Sequence, residues 1–140
     1  MIVLDTNLIS ELMKSTPDTQ VATWMQRTRE TDLFLCDMIV MELSFGADQF
    51  LRRTGSNRYA VLLQNILGMF QDRMLSFNLE IALLTGRLRA RREGMGRPVS
   101  LSDAMIAAIC LHHGATLATR NVKDFEGLDL KLVNPFEGAQ

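Results

Sequence analysis

The sequence predicts an α/β domain, a mainly parallel central sheet of about five strands flanked by helices. Three observations predict it. Short apolar runs alternate with longer stretches of helical period, the pattern of strands joined by crossover helices. The first apolar run stops abruptly at an acid, in "MIVLDTNLIS", as strands do where they deliver polar groups to a sheet edge. No repeat, low-complexity segment or long linker breaks the alternation, and 140 residues at 47% hydrophobic composition suit one sizeable core rather than two. A single domain over residues 1–140 is expected.

The elements follow in order. "IVL" is the first strand, and "NLISELMK" a short helix ended before Pro17. "TQVATWMQRTRE" reads as a second helix and "DLFLC" as a strand bounded by acids. From Met38 to Leu51, the residues Ile39, Leu43, Ala47 and Phe50 recur at helical spacing and form one apolar stripe. After the turn signal "TGSN" come an amphipathic helix, "NRYAVLLQNILGMF", and a strand, "RMLSF". "EIALLTGRLRARR" is a helix ended at Gly94, and "SLSDAMIAAICLHH" a helix followed by Gly114. "TLAT" and "LKLV" are the last strands, the second stopping before Pro135. The turns after "IVL" and "TLAT" matter most, because open α/β sheets bind ligands at the carboxyl ends of their strands.

A net charge of −1 and a pI near 6.1 exclude a globally basic nucleic-acid surface, so a polyanionic partner must be argued from local charge. Met1 leads straight into the first strand, and no apolar stretch reaches the roughly 18 to 20 residues of a membrane span. The expectation is a cytoplasmic protein with no membrane segment. Cys36 and Cys110 sit inside apolar runs without metal-ligand spacing and read as small core residues, as Trp24 and Met25 read as core or interface filler.

Acids occur in unexpected places. Asp5 ends an apolar strand, where it either caps the next helix or serves a site. Glu42 lies about 60° from Ile39 on a helical wheel, at the flank of the apolar stripe, so it either meets an Arg or belongs to a site. Asp103 is the only charge between Leu101 and Leu111, yet "SLSD" also has the form of a capping box with Ser100 as N-cap. Thr119, Arg120, Asn121 and Asp124 follow another strand and make at least a polar turn. If the strands ending at Asp5 and Thr119 are neighbours and the Asp103 helix packs between them, these acids converge, with Glu42 in reach. Such a cluster needs cations, and oxygen ligands without His or Cys select Mg²⁺ or Mn²⁺. Hard cations on a few carboxylates equip a site for phosphodiester hydrolysis by activated water.

The chain resembles the PIN-domain ribonucleases, and among them the VapC toxins of bacterial toxin–antitoxin pairs, particularly the FitB-like branch. The resemblance covers nearly the whole chain and rests on "MIVLDTNLISEL", "MELSFGA", "GRPVSLSDAMIAAICLHHG" and "TLATRNVKDFEGLDLKLVNPF", four pieces in the family's order and spacing. It implies a PIN-like fold with an acidic pocket. Asp5 and Asp103 would be the principal Mg²⁺ ligands, with Mn²⁺ able to substitute, and Glu42 would orient or deprotonate the attacking water. Thr6 and Asn7 would support the pocket, with Thr119 and Asn121 beside it. Some relatives carry Asp at the position of Asn121; here the amide leaves Asp124 as the candidate fourth acid. The resemblance also implies an RNA substrate (transfer or ribosomal), inhibition of translation, a homodimer and a small VapB-type antitoxin.

Local charge is compatible with RNA. Arg87, Arg89, Arg91, Arg92 and Arg97 crowd one helix end and the loop after it, either as a phosphate track or as a solvated face with cations favourably placed at a helix C-terminus. His112 and His113 read as last-turn helix residues. A dehalogenase-type phosphatase needs an acid where this chain has Asn7, and a receiver domain needs a lysine where none is placed. The remaining rival is a catalytically silent PIN-like module that binds RNA or protein. Against it, a binding module gains nothing from three unpaired acids facing a polyanion.

Overall fold

A computed structural model describes residues 1–137. Five strands form one sheet: β1 (Ile2–Leu4), β2 (Leu33–Cys36), β3 (Met74–Leu75), β4 (Thr116–Ala118) and β5 (Lys131–Val133). Their order is β3-β2-β1-β4-β5, and every pairing is parallel. Six helices flank the sheet: α1 (Thr6–Leu12), α2 (Thr19–Arg27), α3 (Asp37–Thr54), α4 (Arg58–Met69), α5 (Leu79–Gly94) and α6 (Leu101–His113). The chain moves outward from β1 to β3 and then returns to β1's other side for β4. The strand order therefore reverses between β1 and β4, the position at which open α/β sheets leave a crevice beyond the strand ends.

Burial explains the arrangement. Val3 and Leu4 are completely buried, as a central parallel strand covered on both faces requires. From Ala104 to Cys110, α6 is buried except at Met105, as its nearly all-round apolar sequence requires. Ala104, Ala107 and Ala108 let it lie close to its neighbours. Its last turn closes at Gly114, whose φ of 63° is the left-handed conformation that terminates helices. Asp18, Asn78 and Ser100 cap α2, α5 and α6 by accepting backbone N–H bonds.

Element boundaries differ from the sequence expectations in three places. The second helix stops at Arg27, not Glu30, because the Thr28 backbone turns extended and its hydroxyl bonds Trp24 O at 2.7 Å. Residues Glu30–Asp32 form a separate 3-10 turn. Helix α3 runs past Leu51 to Thr54, where Gly55 ends it. Of "RMLSF", only Met74 and Leu75 pair with β2, while the backbone N–H of Phe77 is taken by Asp37 Oδ2. Cys36 and Cys110 are free and buried. Among the described residues, no helix is long and apolar enough to cross a membrane.

Candidate active site

Strand β1 ends by delivering Asp5 into the crevice. Its backbone N–H extends the pairing with β4 through Ala118 O, at 2.9 Å. Its Oδ1 accepts from Thr6 N at 2.8 Å, and its Oδ2 accepts from the Thr119 hydroxyl at 2.7 Å and from Asn7 Nδ2 at 3.3 Å. Asp5 is thus the N-cap of α1 and at the same time the acceptor for a hydroxyl at the end of β4. The donors are themselves fixed. Thr119 Oγ1 accepts from Asn121 N at 3.0 Å, which leaves its proton for Asp5, and Asn7 Oδ1 accepts from Arg120 N at 3.2 Å. These bonds tie the end of β1 to the end of β4. Asp5 is 5% exposed; burial raises its pKa, and the Thr119, Thr6 and Asn7 bonds only partly offset this.

Glu42 approaches from α3, half-buried at the edge of the stripe. Thr6 Oγ1 donates to its Oε1 at 3.0 Å, so the residue after Asp5 holds the acid from the next helix but one. Asp103 enters in the first turn of α6, where its N–H bonds Ser100 Oγ at 3.1 Å and so satisfies the capping half of "SLSD". Its carboxyl is pushed up to about 6, first by burial and then by the nearby charge of Asp5, with Asp124 and Glu42 adding to it. Asp124 lies exposed in the 3-10 turn Val122–Phe125 and also acts on Asp5. Among the described residues, no Lys, Arg or His forms an ion pair with Asp5, Glu42, Asp103 or Asp124. Asn121 stands exposed beside them, its backbone engaged by Thr119.

The donor set suits a hard divalent cation. It is all oxygen, carries several negative charges and lacks an internal counter-charge, so a cation would relieve the strain that raises Asp103. Among the described residues, no three acid, His or Cys side chains are close enough to enclose an ion alone. Mg²⁺ keeps waters and needs only one or two carboxylates beside substrate phosphate, so Asp5 and Asp103 are the residues that could hold it.

The arginines divide. Arg87 and Arg89 are exposed on α5, Arg91 pairs with Asp129 at 3.1 Å, and Arg97 pairs with Glu126 at 3.3 Å. Arg92 departs from the phosphate-track expectation. It is 4% exposed, and its guanidinium donates to Arg97 O at 2.7 Å, Asp124 O at 3.0 Å and Glu126 O at 2.9 Å. Every strong bond it makes is to protein backbone, so it fastens the turn that carries Asp124 and leaves little for RNA. A signal for this was present: Ile81, Thr85, Leu88 and Arg92 are the buried positions of α5 and follow helical spacing. Arg120 was read only as part of a polar turn; its guanidinium lies over the Phe136 ring, 4.5 Å from the centroid.

Fold and site together define a parallel α/β domain whose strand order reverses around a pocket of carboxylates drawn from four separate stretches of chain. A family model for the PIN domain matches residues 2–129. The chain belongs to the PIN-domain family, in the branch that holds VapC ribonucleases and the FitB toxin. It is 35% identical to the VapC ribonuclease Y4jK of Sinorhizobium fredii, over 99% of this chain and 100% of that one. It is 32% identical to the toxin FitB of Neisseria gonorrhoeae, over 97% and 99% of the two chains. The crystal structure of FitAcB from Neisseria gonorrhoeae superposes with a TM-score of 0.87 at 31% identity, covering 97% of this chain and 99% of that one.

Proposed function

We propose that this protein is the ribonuclease toxin of a VapBC-type toxin–antitoxin module, a divalent-metal-dependent endoribonuclease that cuts transfer or ribosomal RNA in the cytoplasm and so inhibits translation. The observation that carries the reading is the group of acids Asp5, Glu42 and Asp103, which act on one another with no cationic side chain among them. The similarity to a VapC ribonuclease and to the toxin FitB supports it.

Asp5 and Asp103 would hold Mg²⁺ or Mn²⁺, with Asp124 as an outer acid. When bound, such an ion makes water a better nucleophile and offsets charge on the phosphate. The protein's own groups do the rest. Thr119 and Asn7 fix the Asp5 carboxylate, and Thr6 fixes Oε1 of Glu42, leaving Oε2 to take the proton of a water as its oxygen attacks phosphorus and the bond to the leaving oxygen breaks. The partner proteins are a VapB-type antitoxin and a second copy of this chain.

The test is cleavage of a mixed cellular RNA pool by antitoxin-free protein with Mg²⁺ or Mn²⁺, with EDTA, and with Asp5→Asn and Asp103→Asn. Cleavage that needs metal and disappears in both variants is the expected result. A well-folded wild type that cuts nothing under either metal would transfer the reading to a silent binding module.

A further inference from the structure

Beside Glu42 lies an open groove of about 370 Å³ between α1, α3 and the start of α4. Thr6 and Glu42 line it while Asp5 and Asp103 do not, so the groove meets the acids at Glu42. Its floor is a single face of α3. Glu42, Gly46, Phe50 and Arg53 recur at helical spacing, and Glu42 and Arg53 lie about 20° apart on the wheel and about 16 Å apart along the axis. Gly46 contributes no side chain, and a Cβ built on it would meet nothing within 4 Å.

The far end has different chemistry. Phe50 and Tyr59 meet edge to face with ring centroids 4.8 Å apart. Arg53 lies over the Phe50 ring at 5.5 Å and Arg58 over the Tyr59 ring at 5.5 Å. Neither arginine has a carboxylate partner among the described residues, whereas Lys14, also on the groove, is paired with Glu11 at 2.9 Å. Two uncompensated cations around an aromatic pair fit a ligand that is anionic and carries flat rings. Single-stranded nucleic acid has both properties, and stacking on aromatics with backbone charge on arginine is how it is held without base-specific contacts.

Resting on the nuclease reading above, we propose that this groove is a single-stranded RNA subsite. A base packs against Phe50 and Tyr59, its phosphate meets Arg53, and the strand runs along the Gly46 face of α3 to place the next phosphates at the acids. The separation of Arg53 from Glu42 puts this contact beyond the nucleotide being cut. It is therefore a binding contribution, which should appear in KM rather than kcat.

The experiment uses the full chain and a dye-labelled mixed-sequence single-stranded RNA, with the dissociation constant read by anisotropy in EDTA and steady-state cleavage measured in Mg²⁺. Arg53→Ala, Tyr59→Ala and the groove-filling Gly46→Leu should each raise Kd and KM about tenfold, the order expected for one lost stacking or phosphate contact, with kcat within about twofold. Lys131→Ala, at the exposed start of edge strand β5, should match wild type. Thermal unfolding checks that the variants fold; Gly46→Leu adds a side chain where none is met. Variants that bind and cut as wild type overturn the subsite and leave the nuclease intact. Loss of a protein partner's binding by Gly46→Leu with RNA binding unchanged assigns the groove to that partner and likewise overturns it. A wild type that neither binds nor cuts RNA removes the nuclease reading and the subsite together.

Discussion

Thr6 and Thr119 each direct a hydroxyl at a carboxylate, Thr6 at Glu42 and Thr119 at Asp5, so two neutral side chains aim two charged ones. Thr6→Val keeps the shape and removes the donor; kcat for RNA cleavage should fall about tenfold or more with KM little changed, and Thr6→Ser should restore much of it. Asp103 gives a second prediction, in metal-free protein. Its carboxyl lies near 6 rather than the ordinary 3.8, so the folded protein keeps a proton that the unfolded chain releases. Its contribution to stability is therefore fully present below pH 4 and is lost as pH rises to about 6. Asp103→Asn should melt above wild type at pH 8, and the gap should close toward pH 4, as read by thermal unfolding in EDTA. The acids were legible because charge stands out in apolar surroundings: Glu42 sits at the edge of a stripe and Asp103 in an otherwise uncharged helix. The hydroxyl of Thr119 was placed near the site only on the condition that β1 and β4 adjoin. Its bond to Asp5 spans 114 positions and depends on that strand order, which no local pattern encodes.

At the level of elements, α5 shows how one residue fastens two others. Arg92 continues the buried stripe of Ile81, Thr85 and Leu88 and uses its fork to hold carbonyls on the loop before α6 and on the turn after β4. Truncating it removes three part-buried hydrogen bonds at once. Arg92→Met should cost about 3 kcal/mol in denaturant unfolding, and Arg92→Lys should recover only part, because one ammonium cannot span the same three oxygens. Its role was hard to see because Arg87, Arg89 and Arg91 stand around it and point to solvent. Composition says that the segment is basic; only rotation about the helix axis separates the inward arginine from the outward ones. The order of strands and helices, by contrast, was readable throughout, since each alternation of period changes the element type. What the pattern did not show was the end of α2, where the backbone turns extended at Thr28 with no Pro or Gly to mark the stop.

For the whole molecule, the proposed metal site makes a prediction about stability, because a cation bound among the acids would offset their mutual repulsion. Mg²⁺ or Mn²⁺ at 100 times its dissociation constant should add about 2.7 kcal/mol to folding and raise the melting temperature of wild type, with little effect on Asp5→Asn or Asp103→Asn. Differential scanning calorimetry without RNA checks this independently of cleavage. The reversal of strand order at β1 has one more consequence, in the order of events during synthesis. Asp5 is made well before its flanking strand β4, the hydroxyl that aims it and the helix bearing Asp103, the Thr119 hydroxyl lying 114 positions further on. Chains fold from the N-terminus as they emerge, so a growing chain carries Asp5 and Glu42 without Asp103 and Thr119 until α6 and the end of β4 are made. Fragments that stop before Thr116 should be inert, so a chain that cuts RNA stays harmless to the message being read until β4 has been made.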